Sequence, residues 1–172
     1  MNTRLFVAVL LMAGSALAQV RTTITTPGPV MPPRPLSTPA PDKLQCPQGT
    51  RQVGGPGSRF EGTGCAKANG AFDGPYVVYW PGSGARQAIG QYADGLRTGK
   101  WVYFDEKGVK LYDYEFKADD YDGLHVEYWP NGQKKLEETW VRGLRQGAQR
   151  TFDPAGRLTA EVQYAAGRAV TQ

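Results

Sequence analysis

Nucleophilic and general-base catalysis need a side chain that accepts a proton near neutral pH, a task that falls most often to histidine. This chain has one histidine, His125. It stands two residues after Gly123, where Tyr76 and Trp101 stand after Gly74 and Gly99. That register reads as a structural substitution on a strand face. Ser83 lies between Gly82 and Gly84 in a stretch too short for a nucleophile elbow. Asp119, Asp120 and Asp122 cluster in an acidic connection without the ligand order of a calcium loop, so a solvated turn is expected. Glu137 and Glu138 are adjacent, and neighbours on a strand point to opposite faces, which rules them out as a catalytic carboxylate pair. No catalytic constellation emerges, and neither a cofactor nor a metal site is expected.

Two other groups carry chemistry. Cys46 and Cys65 are the only cysteines. A metal site would need two further ligands that the lone histidine does not supply with any known spacing. In an oxidising compartment the pair reads as a disulfide. The aromatic residues are the richer feature. Tyr76, Trp80, Trp101, Tyr103, His125 and Trp129 form a candidate binding surface on which a carbohydrate or peptide could stack. The alternative is that these rings cover the second side of a sheet.

The elements that must position these residues follow from the chain's organisation. Residues 1–18 have a basic start at Arg4, an apolar run from Leu5 to Ala13 and small residues at Ala16 and Ala18. That order is a secretory signal, cleaved after Ala18, and the apolar run is shorter than the roughly 20 residues of a membrane span. Residues 19–43 form a proline-rich linker. Seven of the fifteen residues from Pro27 to Pro41 are proline, which removes backbone donors and favours an extended spacer. The formal net charge of +4 is small and scattered, unlike the clustered basic stripe of a nucleic-acid binder. No nucleic-acid partner is expected, and contact with an anionic membrane surface would be weak.

The remainder repeats. Glycines recur at 74, 99, 123 and 147, and again at 84, 108, 132 and 156. A third series is Gly95, Gly143 and Gly167, with Asp119 in the missing register. Tyr79, Phe104, Tyr128 and Phe152 keep the same period, as do Tyr92, Phe116, Trp140 and Tyr164. Four units of about 24 residues result, 74–98, 99–122, 123–146 and 147–172, behind a lead-in at 44–73 that bears the cysteines. Within each unit, apolar residues alternate in two short runs, as in Val102/Phe104 and Tyr112/Tyr114/Phe116. Gly-ended turns join the runs. The expected fold is all-β, an antiparallel β-hairpin meander of about eight strands with one or two more from Cys46 to Phe72. Trp140 and its equivalents should hold it together. The fourth unit has Gln149 and Arg150 where earlier ones carry aromatic and Val side chains, as a terminal cap would.

GKWVYFDEKGVKLYDYEFK and GLHVEYWPNGQKKLEETWVRG resemble the MORN repeat in its bacterial variant form. The resemblance covers about Asp73 to Arg168. It implies a β-hairpin array used as a scaffold or interaction surface. Members are often labelled antitoxin components of toxin–antitoxin systems, and some MORN proteins have been proposed to bind phospholipids. The function expected is that of an exported, non-enzymatic scaffold in the periplasm or outside the cell, with an unidentified protein or envelope component as partner. The alternatives are a binder of lipid headgroups, peptidoglycan or carbohydrate, and an antitoxin-like partner protein.

Overall fold

The computed structural model describes residues 42–55 and 62–170. The expected signal peptide, 1–18, and most of the proline-rich linker, 19–43, lie outside the described residues.

The described residues form eleven strands and no helix. Two belong to the lead-in, β1 (Arg51–Gly54) and β2 (Gly62–Ala66). Then follow β3 (Phe72–Tyr79), β4 (Arg86–Ala93), β5 (Leu96–Phe104), β6 (Lys110–Lys117), β7 (Asp120–Tyr128) and β8 (Lys134–Val141). The last three are β9 (Leu144–Phe152), β10 (Leu158–Ala165) and β11 (Arg168–Val170). Each strand pairs with the next in sequence, all in one open sheet ordered β1 to β11. The meander is thus as expected, with β11 as an additional short strand beyond the repeating runs.

Turn chemistry explains the connections. At one end of the sheet the hairpin turns close through Gly108 N–H to the Asp105 carbonyl, Gly132 to Trp129 and Gly156 to Asp153. The return connections at the other end are tighter than the sequence suggests. Each is two residues long with both φ values positive: Asp94-Gly95, Ala118-Asp119, Arg142-Gly143 and Ala166-Gly167. This is the turn whose twist matches that of antiparallel strands. As a result Gly99, Gly123 and Gly147 lie inside strands, not at their starts, with φ of +63°, +125° and +78°.

All eight ladders from β2/β3 to β9/β10 contain a register shift. Bulges increase local twist and bend the strand that carries them. They let successive turns reach one another across intervening strands. Return-turn N–H groups bond to carbonyls one unit back, from Gly95 to Phe72 at 2.7 Å, Asp119 to Arg97 at 3.0 Å, Gly143 to Tyr121 at 2.8 Å and Gly167 to Arg145 at 2.9 Å. At the opposite end the Trp80 indole N–H donates to the Phe104 carbonyl and that of Trp129 to Phe152.

Alternation along each strand sorts side chains to two faces. Tyr76, Ala88, Trp101 and Phe116 form the core of one face, with Phe72, Val78, Tyr92, Tyr103, Tyr114 and Tyr121 packed against them. The other face carries Val77, Tyr79, Phe104 and Val126, all buried. Glycine makes room at the closest approach on the aromatic face. A Cβ on Gly90 would lie 2.1 Å from the Trp101 ring, and one on Gly64 2.2 Å from Tyr76.

The lead-in is pinned over β2 to β4. Cys46 and Cys65 form a disulfide. The Asp42 carboxylate pairs with Arg86 and accepts a hydrogen bond from the Tyr79 hydroxyl at 3.2 Å. Gln52 holds the same segment through Leu44 N–H and the Asp42 carbonyl.

Candidate functional site

The aromatic face runs from Phe72 on β3 to Trp140 on β8 as a connected row of rings. Ring centroids are 5.1 Å apart for Tyr76 and Tyr92, 5.2 Å for Tyr92 and Trp101, and 4.5 Å for Tyr114 and His125. Most pairs are edge-to-face or tilted, the arrangements that ring quadrupoles favour.

Of the six candidate surface residues, Tyr76, Trp101 and His125 are only 6%, 2% and 3% exposed. Their ring faces are occupied by neighbouring strands and do not form an open platform. Tyr103 is half-buried between Trp101, Tyr112 and Tyr114. Trp80 and Trp129 lie apart from this row, at the hairpin-turn end, where their indole N–H groups stitch one turn to the next. The period-two pattern could not separate them from the others because the bulges at Val78/Tyr79 and Glu127/Tyr128 intervene.

His125 stacks on Tyr114, meets Tyr121 edge-on at 4.3 Å, and lies 5.4 Å from Trp140. Its Nε2 is buried without a hydrogen-bond partner among the described residues. Burial pulls the imidazole below its usual pKa, outweighing the opposing influence of a bond to the Glu115 backbone and the Glu138 charge. It is a neutral ring used for packing.

Glu138, on β8 opposite His125, is also buried. It accepts from Trp140 Nε1 at 2.7 Å and from Gln149 Nε2 at 2.5 Å. Arg145 Nε lies 3.0 Å from Glu138 Oε2, at an angle that makes no hydrogen bond. The Arg145 guanidinium sits between the rings of Trp140 and Tyr164, at 5.2 and 5.4 Å. An open hollow of about 280 Å³ lies there, lined by Trp140, Gly143, Leu144, Arg145 and Gly167. No motif marks Arg145; the signal was its 48-residue offset from Arg97, visible only once the register is laid out.

On the opposite face Asp113 is a second polar centre. Its Oδ2 meets Lys100 Nζ at 2.8 Å, Lys110 Nζ at 3.1 Å and the Tyr128 hydroxyl at 2.8 Å. Burial pushes this carboxyl up, but those partners outweigh burial and hold it below the usual range. The expected acidic turn at 119–122 is shorter than the sequence suggests: only Asp119 lies in the turn, and Asp120 and Asp122 belong to β7. Asp119 accepts from Arg97, and Asp122 accepts from Arg142 N–H. Among the described residues no group of three or more His, Cys, Asp or Glu is placed to hold a metal ion.

Compared with known proteins, the chain matches no family model, and no curated protein shows significant similarity to it.

Proposed function

We propose that this chain is an exported, non-enzymatic member of the bacterial MORN-like repeat proteins and acts as a protein-interaction scaffold in the envelope or outside the cell. The observation that carries this reading is the asymmetry of an open, linear sheet. At its N-terminal end the disulfide-bearing lead-in crosses β2 to β4. At its C-terminal end β11 pairs with β10 alone among the described residues, and Leu144, Leu158, Val162 and Val170 are exposed nearby. An edge strand beside apolar side chains is a surface on which another chain can pair or pack. The disulfide is consistent with an oxidising compartment, which supports export. The residues with chemical potential support a non-enzymatic role, since His125 and Asp119 are engaged in packing and turns.

Affinity capture with the mature chain from its own envelope fraction tests this reading. A specific protein recovered by the intact chain, and lost when β10 and β11 are removed, supports it. Salt-sensitive sedimentation with anionic liposomes in the absence of protein capture would favour the lipid-headgroup alternative instead.

A further inference from the structure

Arg97 and Arg145 occupy the same register two units apart, and the comparison exposes an unfilled position. Arg97 lies over the ring of Phe116 at 4.2 Å. The next return turn presents Asp119, whose Oδ1 accepts from the Arg97 backbone N–H at 3.0 Å and from Arg97 Nε at 2.8 Å. Asp119 N–H in turn bonds to the Arg97 carbonyl. Arg145 repeats this setting. It lies between Trp140 and Tyr164, the register equivalents of Tyr92 and Phe116, and its carbonyl accepts from the N–H of the next return turn. At that turn, however, the residue in the place of Asp119 is Gly167. That turn therefore offers no carboxylate; Arg145 Nε instead lies 3.0 Å from Glu138 Oε2, and the 280 Å³ hollow lined by Trp140, Gly143, Leu144, Arg145 and Gly167 stands beside the guanidinium.

Glu138 balances part of the Arg145 charge, but its oxygens already receive Trp140 and Gln149. Among the described residues the Arg145 side chain makes no hydrogen bond, and its Nε is buried. A guanidinium has five donors in a planar fork suited to a carboxylate. Held between aromatic rings, it is a preorganised donor for one.

We propose that the Trp140–Arg145–Gly167 hollow binds a carboxylate on a short side chain, that of an aspartate in a partner peptide, which meets the outer end of the Arg145 guanidinium from the turn side, where Asp119 stands for Arg97, while Nε stays against Glu138. The peptide source rests on the scaffold reading above; the carboxylate site does not.

The test is a titration of the folded, oxidised chain with acetyl-Ala-Asp-Ala-amide, its Asn counterpart and sodium acetate. The nuclear magnetic resonance signals of Arg145 Nε–H and Trp140 Nε1–H are followed. The Asp peptide is expected to shift both signals saturably, at a concentration at least tenfold below any effect of the Asn peptide. Gly167→Asp should abolish that response by supplying the carboxylate from the chain itself. Asp119 adopts φ of +68° at the equivalent position against +81° for Gly167, and a Cβ there would meet Leu144 Cδ2 at 3.3 Å, so an unchanged circular dichroism spectrum is required of this variant as well. Arg145→Gln, with an unchanged circular dichroism spectrum, should also abolish it. Acetate acting as strongly as the peptide would make the ligand a free carboxylate and would overturn the peptide source alone. No saturable shift with either carboxylate, an equal response to the Asn peptide, or full binding by Gly167→Asp would each overturn the site. If Gly167→Asp still captures the envelope partner, the scaffold reading survives without this site.

Discussion

The two ends of the sheet solve the same problem differently. From β2 to β6 the aromatic face is filled by rings lying on glycine, with Tyr76 over Gly64 and Trp101 over Gly90. A disulfide and the Asp42 ion pair close that end. From β7 to β11 the same register holds His125, Glu138 and Gln149, and the outer strands are largely exposed. Apolar packing gives way to a hydrogen-bonded polar cluster, which stabilises less per residue but presents groups that can bind. The comparison teaches that one backbone repeat can carry structural work at one end and recognition at the other, because the side chains in each register are free to differ.

The largest effect should come from cutting the packed end. Trp101→Ala is expected to cost about 3–5 kcal/mol. Trp140→Ala, at the half-buried end, should cost less than half as much, which chemical denaturation of both variants would measure. Equal losses would mean the row is one uniform core.

Breaking the Cys46–Cys65 link by Cys65→Ala should cost about 3 kcal/mol for a 19-residue separation. Protease cleavage should then begin in the lead-in and leave the strands from β5 onward intact longer. Mass spectrometry of non-reduced peptides checks the link itself.

His125→Phe is expected to change stability by less than about 1 kcal/mol, because it removes a buried nitrogen without a partner and keeps the ring but also loses the bond to the Glu115 backbone. The pH dependence sharpens this. The folded imidazole titrates below its unfolded value of 6.5. Between those two values the unfolded chain binds the extra proton, so wild-type stability is full above 6.5 and falls as pH drops below it, until the folded value is reached. The Phe variant should lack that slope. The Asp113 contribution, with its folded value also lowered, should persist in both proteins above 3.8 and be lost on further acidification.

The smallest effect concerns a turn. Ala118 and Asp119 both have positive φ, and alanine gains nothing from that conformation. Ala118→Asn should stabilise by about 0.5–1 kcal/mol, read as a higher unfolding temperature.

By itself the sequence determined the all-β meander and the order of its strands. Period-two alternation and glycine at fixed offsets are local signals, and short connections leave neighbouring runs no partner but each other. The two isolated cysteines were legible for the same reason. The faces of Val77/Tyr79 and Trp101/Tyr103 also followed from alternation. What alternation could not reveal was burial. Trp101 and His125 are buried because rings from adjacent strands close over them, Tyr92 and Phe116 on Trp101 and Tyr114 and Tyr121 on His125, in ladders whose bulges increase local twist. Return turns also bond to residues 22 positions earlier, Asp119 to Arg97 and Gly167 to Arg145. Only that tertiary contact decides that Arg97 meets the carboxylate of the next return turn, while Arg145 pairs with Glu138 of the neighbouring strand and has a hollow beside that turn, because the distance between a turn and its predecessor depends on twist accumulated over several strands.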